Sequence, residues 1–174
     1  MEVFTRLTCV GLAIAFIGIT VAAAQQAPAG CSSDHPANAP QTLHCPGDLT
    51  IVAEDGAKFT LQSLDKKGGV ESINLQSRAL LVDAPKQRGK RRFHVSTPQA
   101  IAAVRGTKWA VDAQETRTSV LVLSGQVAVR RPGGAEQAVL GPGDGVDVES
   151  GSAALVIKRW PQPRVDALLA RLGQ

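Results

Sequence analysis

An all-β fold, a short-strand roll or β-helix-like sandwich closed by a short C-terminal α-helix, is what this sequence predicts. Three observations predict it. Beyond Cys45, apolar and polar residues alternate in runs of about four to eight, the period of half-buried strands. Seventeen glycines and ten prolines fall mainly between those runs, where corners are needed. The period changes only at the end, where Val165, Leu168, Leu169 and Leu172 fall on one helical stripe. At 174 residues the chain suits one domain with a real core. No repeat is regular enough for a solenoid.

Residues 1–24 read as an export signal. Arg6 supplies the positive end, residues 7–24 form an uncharged apolar run, and Ala22-Ala23-Ala24 offers a small-residue cleavage site before Gln25. Glu2 departs from the ideal pattern. Left uncleaved, the run would be a membrane anchor near the lower length limit, and membrane contact is expected only in that case. Cys9 leaves with the leader. Cys31 and Cys45 remain as a pair in an oxidising compartment, which predicts a disulfide. Residues 25–47 are then a stapled N-terminal loop, poor in apolar residues. His35 and His44 flank the cysteines, but the spacing fits no zinc pattern and no metal is expected.

Residues 48–158 carry the β domain. In "DLTIVAEDGAKFTLQSL" two strands are joined by Glu54-Asp55-Gly56-Ala57, a hairpin signal, with Phe59 and Leu61 facing one way and Lys58, Thr60 and Gln62 the other. "DKKGG" is a plain turn, because Lys66, Lys67 and Gly69 stand where a calcium loop needs oxygen ligands. "VESINL" and "ALLVDA" read as two further strands. Lys86, Arg88, Lys90, Arg91 and Arg92 form one cationic run, a candidate anion-binding loop or a solvated turn. Next come "RFHVST", with Phe93 and Val95 inward and His94 outward, then "AIAAV", "TKWAVDA", "RTSVLVLS", "GQVAVRR", "EQAVL", "GVDVES" and "ALVIK". Pro132-Gly133-Gly134 makes a hairpin tip. In "AIAAVRGTKWAVD" the pair Arg105-Gly106 is a corner. Gly106 admits a positive φ or a close strand, and Arg105 can donate to carbonyls freed by the bend. Thr107, Trp109 and Val111 share one face, with Ala102 and Ala103 leaving room opposite Trp109. The helix spans 161–172, opened by Pro161 and Pro163 and followed by Gly173. Too short to stand alone, it must dock on the β core or on a partner.

The ordered series Thr97-Pro98, Ala103-Val104-Arg105-Gly106-Thr107, Leu123-Ser124-Gly125-Gln126-Val127 and Leu140-Gly141-Pro142-Gly143-Asp144-Gly145-Val146 resembles the FecR domain family. The likeness covers about residues 93–148. Val104, Arg105, Gly106, Thr107, Trp109, Gly125, Gly141 and Gly143 are its structural motif here. The resemblance implies a β fold outside the cytoplasm, in the periplasm of a Gram-negative cell or secreted. It also implies a role in signal transduction through an envelope or membrane protein partner. The family's regulators hold a sigma factor with a cytoplasmic segment. Six residues ahead of the apolar run leave none here, so a stand-alone exported domain is expected.

No catalytic constellation is present. Gly-x-Ser-x-Gly, His-Glu-x-x-His, Cys-x-x-Cys, a phosphate loop and a dinucleotide fingerprint are all missing, and Asp144 and Asp147 read as turn residues. Four Phe, two Trp and no Tyr leave too few rings for a single-strand stacking platform, so nucleic acid is not an expected partner. A non-enzymatic domain without a cofactor is expected, binding an envelope protein through a strand edge or the terminal helix. The alternative is a module for envelope polymers or anionic lipid, using residues 86–92.

Overall fold

The computed structural model describes residues 30–64, 69–85, 93–104 and 106–174. The expected export signal, the "DKKGG" turn up to Gly68, the cationic run 86–92 and Arg105 lie outside these described residues.

Among the described residues thirteen strands and one helix follow in order: β1 Ser32–Asp34, β2 Gln41–Cys45, β3 Leu49–Ala53, β4 Lys58–Leu64, β5 Val70–Ala84, β6 Phe93–Ser96, β7 Ile101–Val104, β8 Thr107–Ala113, β9 Arg117–Ser124, β10 Val127–Arg130, β11 Gln137–Leu140, β12 Asp144–Glu149, β13 Ile157–Arg159 and α1 Gln162–Arg171. The all-β class read from the alternation is the one observed.

The strands form two layers that share β5. One layer runs β1-β2-β3-β5-β8-β9-β12-β13 and the other β4-β5-β6-β7-β10-β11. The first half of β5 pairs β4 and, in parallel, β6; its second half pairs β3 and β8. The rest is antiparallel and built from hairpins laid alternately in the two layers: β6-β7, β8-β9, β10-β11 and β12-β13. Between hairpins the chain must cross from layer to layer, and glycines stand at those crossings. Gly106 (φ 68°) takes the chain from β7 to β8, and Gly125 (φ 81°) takes it from β9 to β10. Both conformations disfavour a Cβ.

The layers bury one core. Leu43, Ile51, Ile73, Leu75, Val82, Val95, Trp109, Val111, Val120, Val129, Leu140 and Val148 contribute to it from both sides. Removing this much apolar surface from water is the main favourable term for the fold.

Four expectations need correction. Residues 25–47 are not simply a polar stapled loop. From residue 31 onward they supply β1 and β2, and Leu43 and Cys45 enter the core. "VESINL" and "ALLVDA" are one strand, β5, interrupted where Arg78 adopts φ 68° and the strand passes between layers. Glu54–Ala57 is a turn, with Ala57 N–H donating to the Glu54 carbonyl at 2.9 Å, but not a hairpin. β3 and β4 each pair β5 rather than one another. Only Ala102 of the pair Ala102/Ala103 faces the core that holds Trp109, since the two lie on opposite faces of β7.

α1 docks in cis on the outer face of the first layer. Leu168 and Leu172, with Val165 half-buried, meet Ala79, Leu81, Ala110 and Leu121 in a second apolar cluster that Trp160 completes. That explains why β8 and β9 read as apolar on both faces: they are covered on both.

Candidate protein-binding edge

The motif residues of the sequence gather at two corners. At the first, Val104 is buried at the end of β7, Gly106 turns the chain, and Thr107 is buried. The Thr107 hydroxyl donates to the Gln126 carbonyl at 3.0 Å. A Cβ on Gly125 would stand 2.5 Å from the Gly106 carbonyl oxygen and 2.7 Å from Thr107 Oγ1. Thus Gly106, Thr107 and Gly125 form one contact between two crossings. Trp109 lies on the dry side of β8, fully buried, with its indole Nε1 unpartnered among the described residues. At the second corner Gly141 N–H donates to Asp144 Oδ2 at 3.0 Å, and a Cβ on Gly143 would meet the Arg159 guanidinium. Arg105 and the candidate anion-binding Lys86, Arg88, Lys90, Arg91 and Arg92 lie outside the described residues. Thr97 and Pro98 sit at the β6–β7 turn. There Thr97 Oγ1 accepts from Ala100 N–H at 2.9 Å and shares a hydrogen bond of 2.7 Å with Thr118 Oγ1. These contacts serve the turn rather than a ligand.

Cys31 and Cys45 form a disulfide just beyond the Ser32↔His44 end of the β1–β2 pair. His35 and His44 stand instead 4.0 Å from Asp55 and Asp34 respectively. Among the described residues no group of three or more His, Cys, Asp or Glu could hold a metal, and no helix is long and apolar enough to cross a membrane.

Among the described residues, four strands lie at layer edges: β1 and β13 in the first layer, β4 and β11 in the second. An edge offers backbone donors and acceptors to an incoming strand, and polar side chains, charges or short length normally blunt it. β1 is short and polar and tied by the disulfide. β4 alternates Lys58, Thr60 and Gln62 outward. β11 exposes Gln137 and a single large apolar side chain, Val139. β13 is as short as β1 and carries two cations, but it differs in its apolar exposure: all three of its residues are exposed, and Ile157 (43%) with Val156 (56%) just before it places two consecutive large apolar side chains in water. Lys158 and Arg159 follow. Arg159 is held by the Pro142 carbonyl at 2.8 Å and faces Asp144 at 3.8 Å.

β13 is rigidly backed. Trp160 follows it at once, its indole lying on β12 where Gly145 lacks a Cβ, so any side chain there would strike the ring. The Arg164 guanidinium stacks 3.5 Å above Trp160 and donates to both oxygens of Asp147, at 2.5 and 2.9 Å. Ser119 Oγ donates to Asp147 Oδ1 at 2.6 Å. Burial alone would push the Asp147 carboxyl up; the hydrogen bonds from Arg164 and Ser119 and the charges of Arg164 and Arg117 outweigh it and hold the group below 3.8. Asp147 is therefore a strand residue with a partner, not the turn residue expected. Farther along α1, Arg171 donates to Glu54 at 2.6 and 3.1 Å and to Asp112 at 2.8 and 3.1 Å. Asp112 is 5% exposed. We expect Arg171→Leu to cost about 2 kcal/mol in urea unfolding. It takes the guanidinium from Asp112, which keeps Gln114 Nε2, and from Glu54, which keeps Arg78 and the Ala79 N–H, and the guanidinium itself is partly exposed and screened. Asp112→Asn added to that variant should restore part of the loss.

None of these edge and clamp residues stood out in the sequence as functional. "ALVIK" resembled any other strand, and its lack of a second neighbour is a property of the assembled layers. The one local signal was Trp160-Pro161, where a strand passes into a helix with no loop.

Residues 48–128 match the family model described as FecR protein. The match begins well before the stretch that carried the resemblance and stops short of the Gly141–Val146 turn. Two solved structures of a candidate anti-sigma factor from Parabacteroides distasonis ATCC 8503 are similar to the chain, with TM-scores of 0.61 and 0.59, each at 19% identity. Each alignment covers 76% of this chain and 61% of the other. The chain thus spans about three fifths of the length of those proteins, and the likeness is one of fold. No curated protein matches the sequence.

Proposed function

Because residues 48–128 match the FecR family model, we propose that this chain is an exported, non-enzymatic binding domain that takes part in signal transduction by engaging a protein of the cell envelope. Its binding element is the free edge of β13. The observation that carries this reading is the exposed pair Val156-Ile157 on an otherwise well-backed edge strand. With α1 docked in cis, its apolar face is spent, which leaves the strand edge of the two surfaces expected from the sequence. Backbone pairing would supply affinity, and side-chain pockets specificity. The sequence Val156-Ile157-Lys158-Arg159 suits an extended partner segment that is apolar and then acidic. The Cys31–Cys45 disulfide supports a location outside the reducing cytoplasm.

A photoreactive residue at Val156, activated in intact cells, should give one discrete protein adduct that persists in raised salt. Ile157→Glu, which charges the edge, should abolish it. An adduct indifferent to Ile157→Glu would overturn the reading. So would binding that vanishes with salt and with Lys90, Arg91 and Arg92→Ala, which would favour the polymer or anionic-lipid alternative.

A further inference from the structure

The backbone of β13 shows how much of its edge is open. Trp160 N–H donates to the Gly143 carbonyl at 3.2 Å, in step with the pairs Arg159↔Asp144, Lys158↔Gly145 and Ile157↔Val146. Along an antiparallel strand the backbone groups of successive residues turn to opposite sides. Lys158 and Trp160 therefore turn theirs toward β12, and Ile157 and Arg159 turn both N–H and C=O toward the free edge. Both ends of that edge are closed. Leu155 N–H donates to Glu136 Oε1 at 3.1 Å, so a side chain already engages the backbone ahead of β13. Pro161 has no N–H, and its carbonyl accepts from Arg164 and Val165 as α1 begins. What is left is a template of two residues, each with one donor and one acceptor, and Lys158 between them. An antiparallel strand of three residues uses all of it, bonding Ile157 and Arg159 through its outer residues. Every other pair of the first layer is antiparallel. A second copy of this chain fits badly. The register that uses both residues sets Ile157 opposite Arg159 and Lys158 opposite Lys158, like charge on like charge.

We propose that β13 takes an extended three-residue segment of a different polypeptide, antiparallel, with an acidic side chain on its middle residue facing Lys158. This rests on the reading of β13 as the binding edge and adds to it the length, register and charge of the partner. Two carboxylates share the face of Lys158, Asp147 and Glu149, but both belong to β12, one strand farther from the incoming segment. Asp147 is held by Arg164, and Glu149 stands across from Arg117. Lys158 is the charge directly beside the new strand, and cross-strand neighbours decide such pairings.

The protein is titrated with acetyl-Thr-Val-Glu-Val-Thr-amide while backbone amide shifts and hydrogen exchange are followed. Exchange should slow, saturably, at Ile157 and Arg159, and stay as it is at Lys158 and Trp160, which already bond β12. N-methylation of both Val amides in the peptide should abolish the response. Replacing the Glu of the peptide by Lys should weaken binding about two- to fivefold, and Lys158→Glu, at an exposed position, should reverse that preference. Lengthening the peptide by Thr-Val at each end should not tighten it, because the template is closed there. The proposal is overturned by no saturable response, by one that survives N-methylation or ignores Lys158→Glu, or by one that tightens with length. Shifts at Ile157 that grow with protein concentration alone would make a second copy the occupant and overturn it too. The Val156 adduct in cells reports separately. An adduct kept without a peptide response retains the edge and removes only this template; an adduct lost while the peptide binds removes the cellular reading and keeps the template.

Discussion

Gly125→Ala is expected to lower the stability of the folded chain by about 4 kcal/mol, whereas Gly133→Ala should cost about 1 kcal/mol. Both glycines have a positive φ, 81° and 71°, so both variants carry the strain of a side chain in the left-handed region. Only at Gly125 does a Cβ also collide, with the Gly106 carbonyl oxygen and Thr107 Oγ1; at Gly133 nothing stands within 4 Å. The colliding atoms cannot give way cheaply. One is backbone at the neighbouring crossing, and the other is the hydroxyl bonded to Gln126. Relief would separate the two crossings and pull Thr107 out of its buried site. Equilibrium urea unfolding of the two variants measures the difference directly. Equal losses would mean that the close approach of Gly125 to Gly106 has no energetic consequence.

Removing the disulfide, by reduction or by Cys31→Ser with Cys45→Ser, is expected to cost about 3 kcal/mol, the loop-closure entropy regained by the unfolded chain for a ring of about 15 residues. The loss should not stop at β1. Through Cys45 and Leu43 the bridged hairpin contributes to the main core, and β2 pairs β3 along its full length. Unfolding followed with and without reductant should show the midpoint move while the denaturant dependence stays near its oxidised value. A midpoint unchanged by reductant would show that pairing with β3 holds the hairpin without the bond.

How far the sequence reveals this fold depends on the kind of information each element needs. Strands β6 to β12 were legible because each is a short apolar-rich run set off by a turn, with glycine or proline at every break except the polar Gln114-Glu115-Thr116 between β8 and β9. α1 was legible because its leucines change period. β1 and β2 were not: "SSD" and "QTLHC" bury too little to show a pattern, and their pairing comes from the bridge and from β3. β5 read as two strands because Gln76-Ser77-Arg78 interrupts the alternation, which is what a strand passing between layers must do. The corner glycines were identifiable as corners, but not as two corners in contact. The β13 edge was illegible altogether, since exposure at an edge depends on which strands lack a neighbour. Arg164 and Arg171 looked like ordinary polar positions on a short amphipathic helix. Their carboxylate partners at Asp147, Asp112 and Glu54 are distant in sequence.

Strand β5 gives its first half to one layer and its second half to the other. A strand held at both ends in this way leaves neither layer free to melt by itself, since loosening one frees half of the strand that the other is built on. Disturbance at any hairpin is therefore carried by both layers.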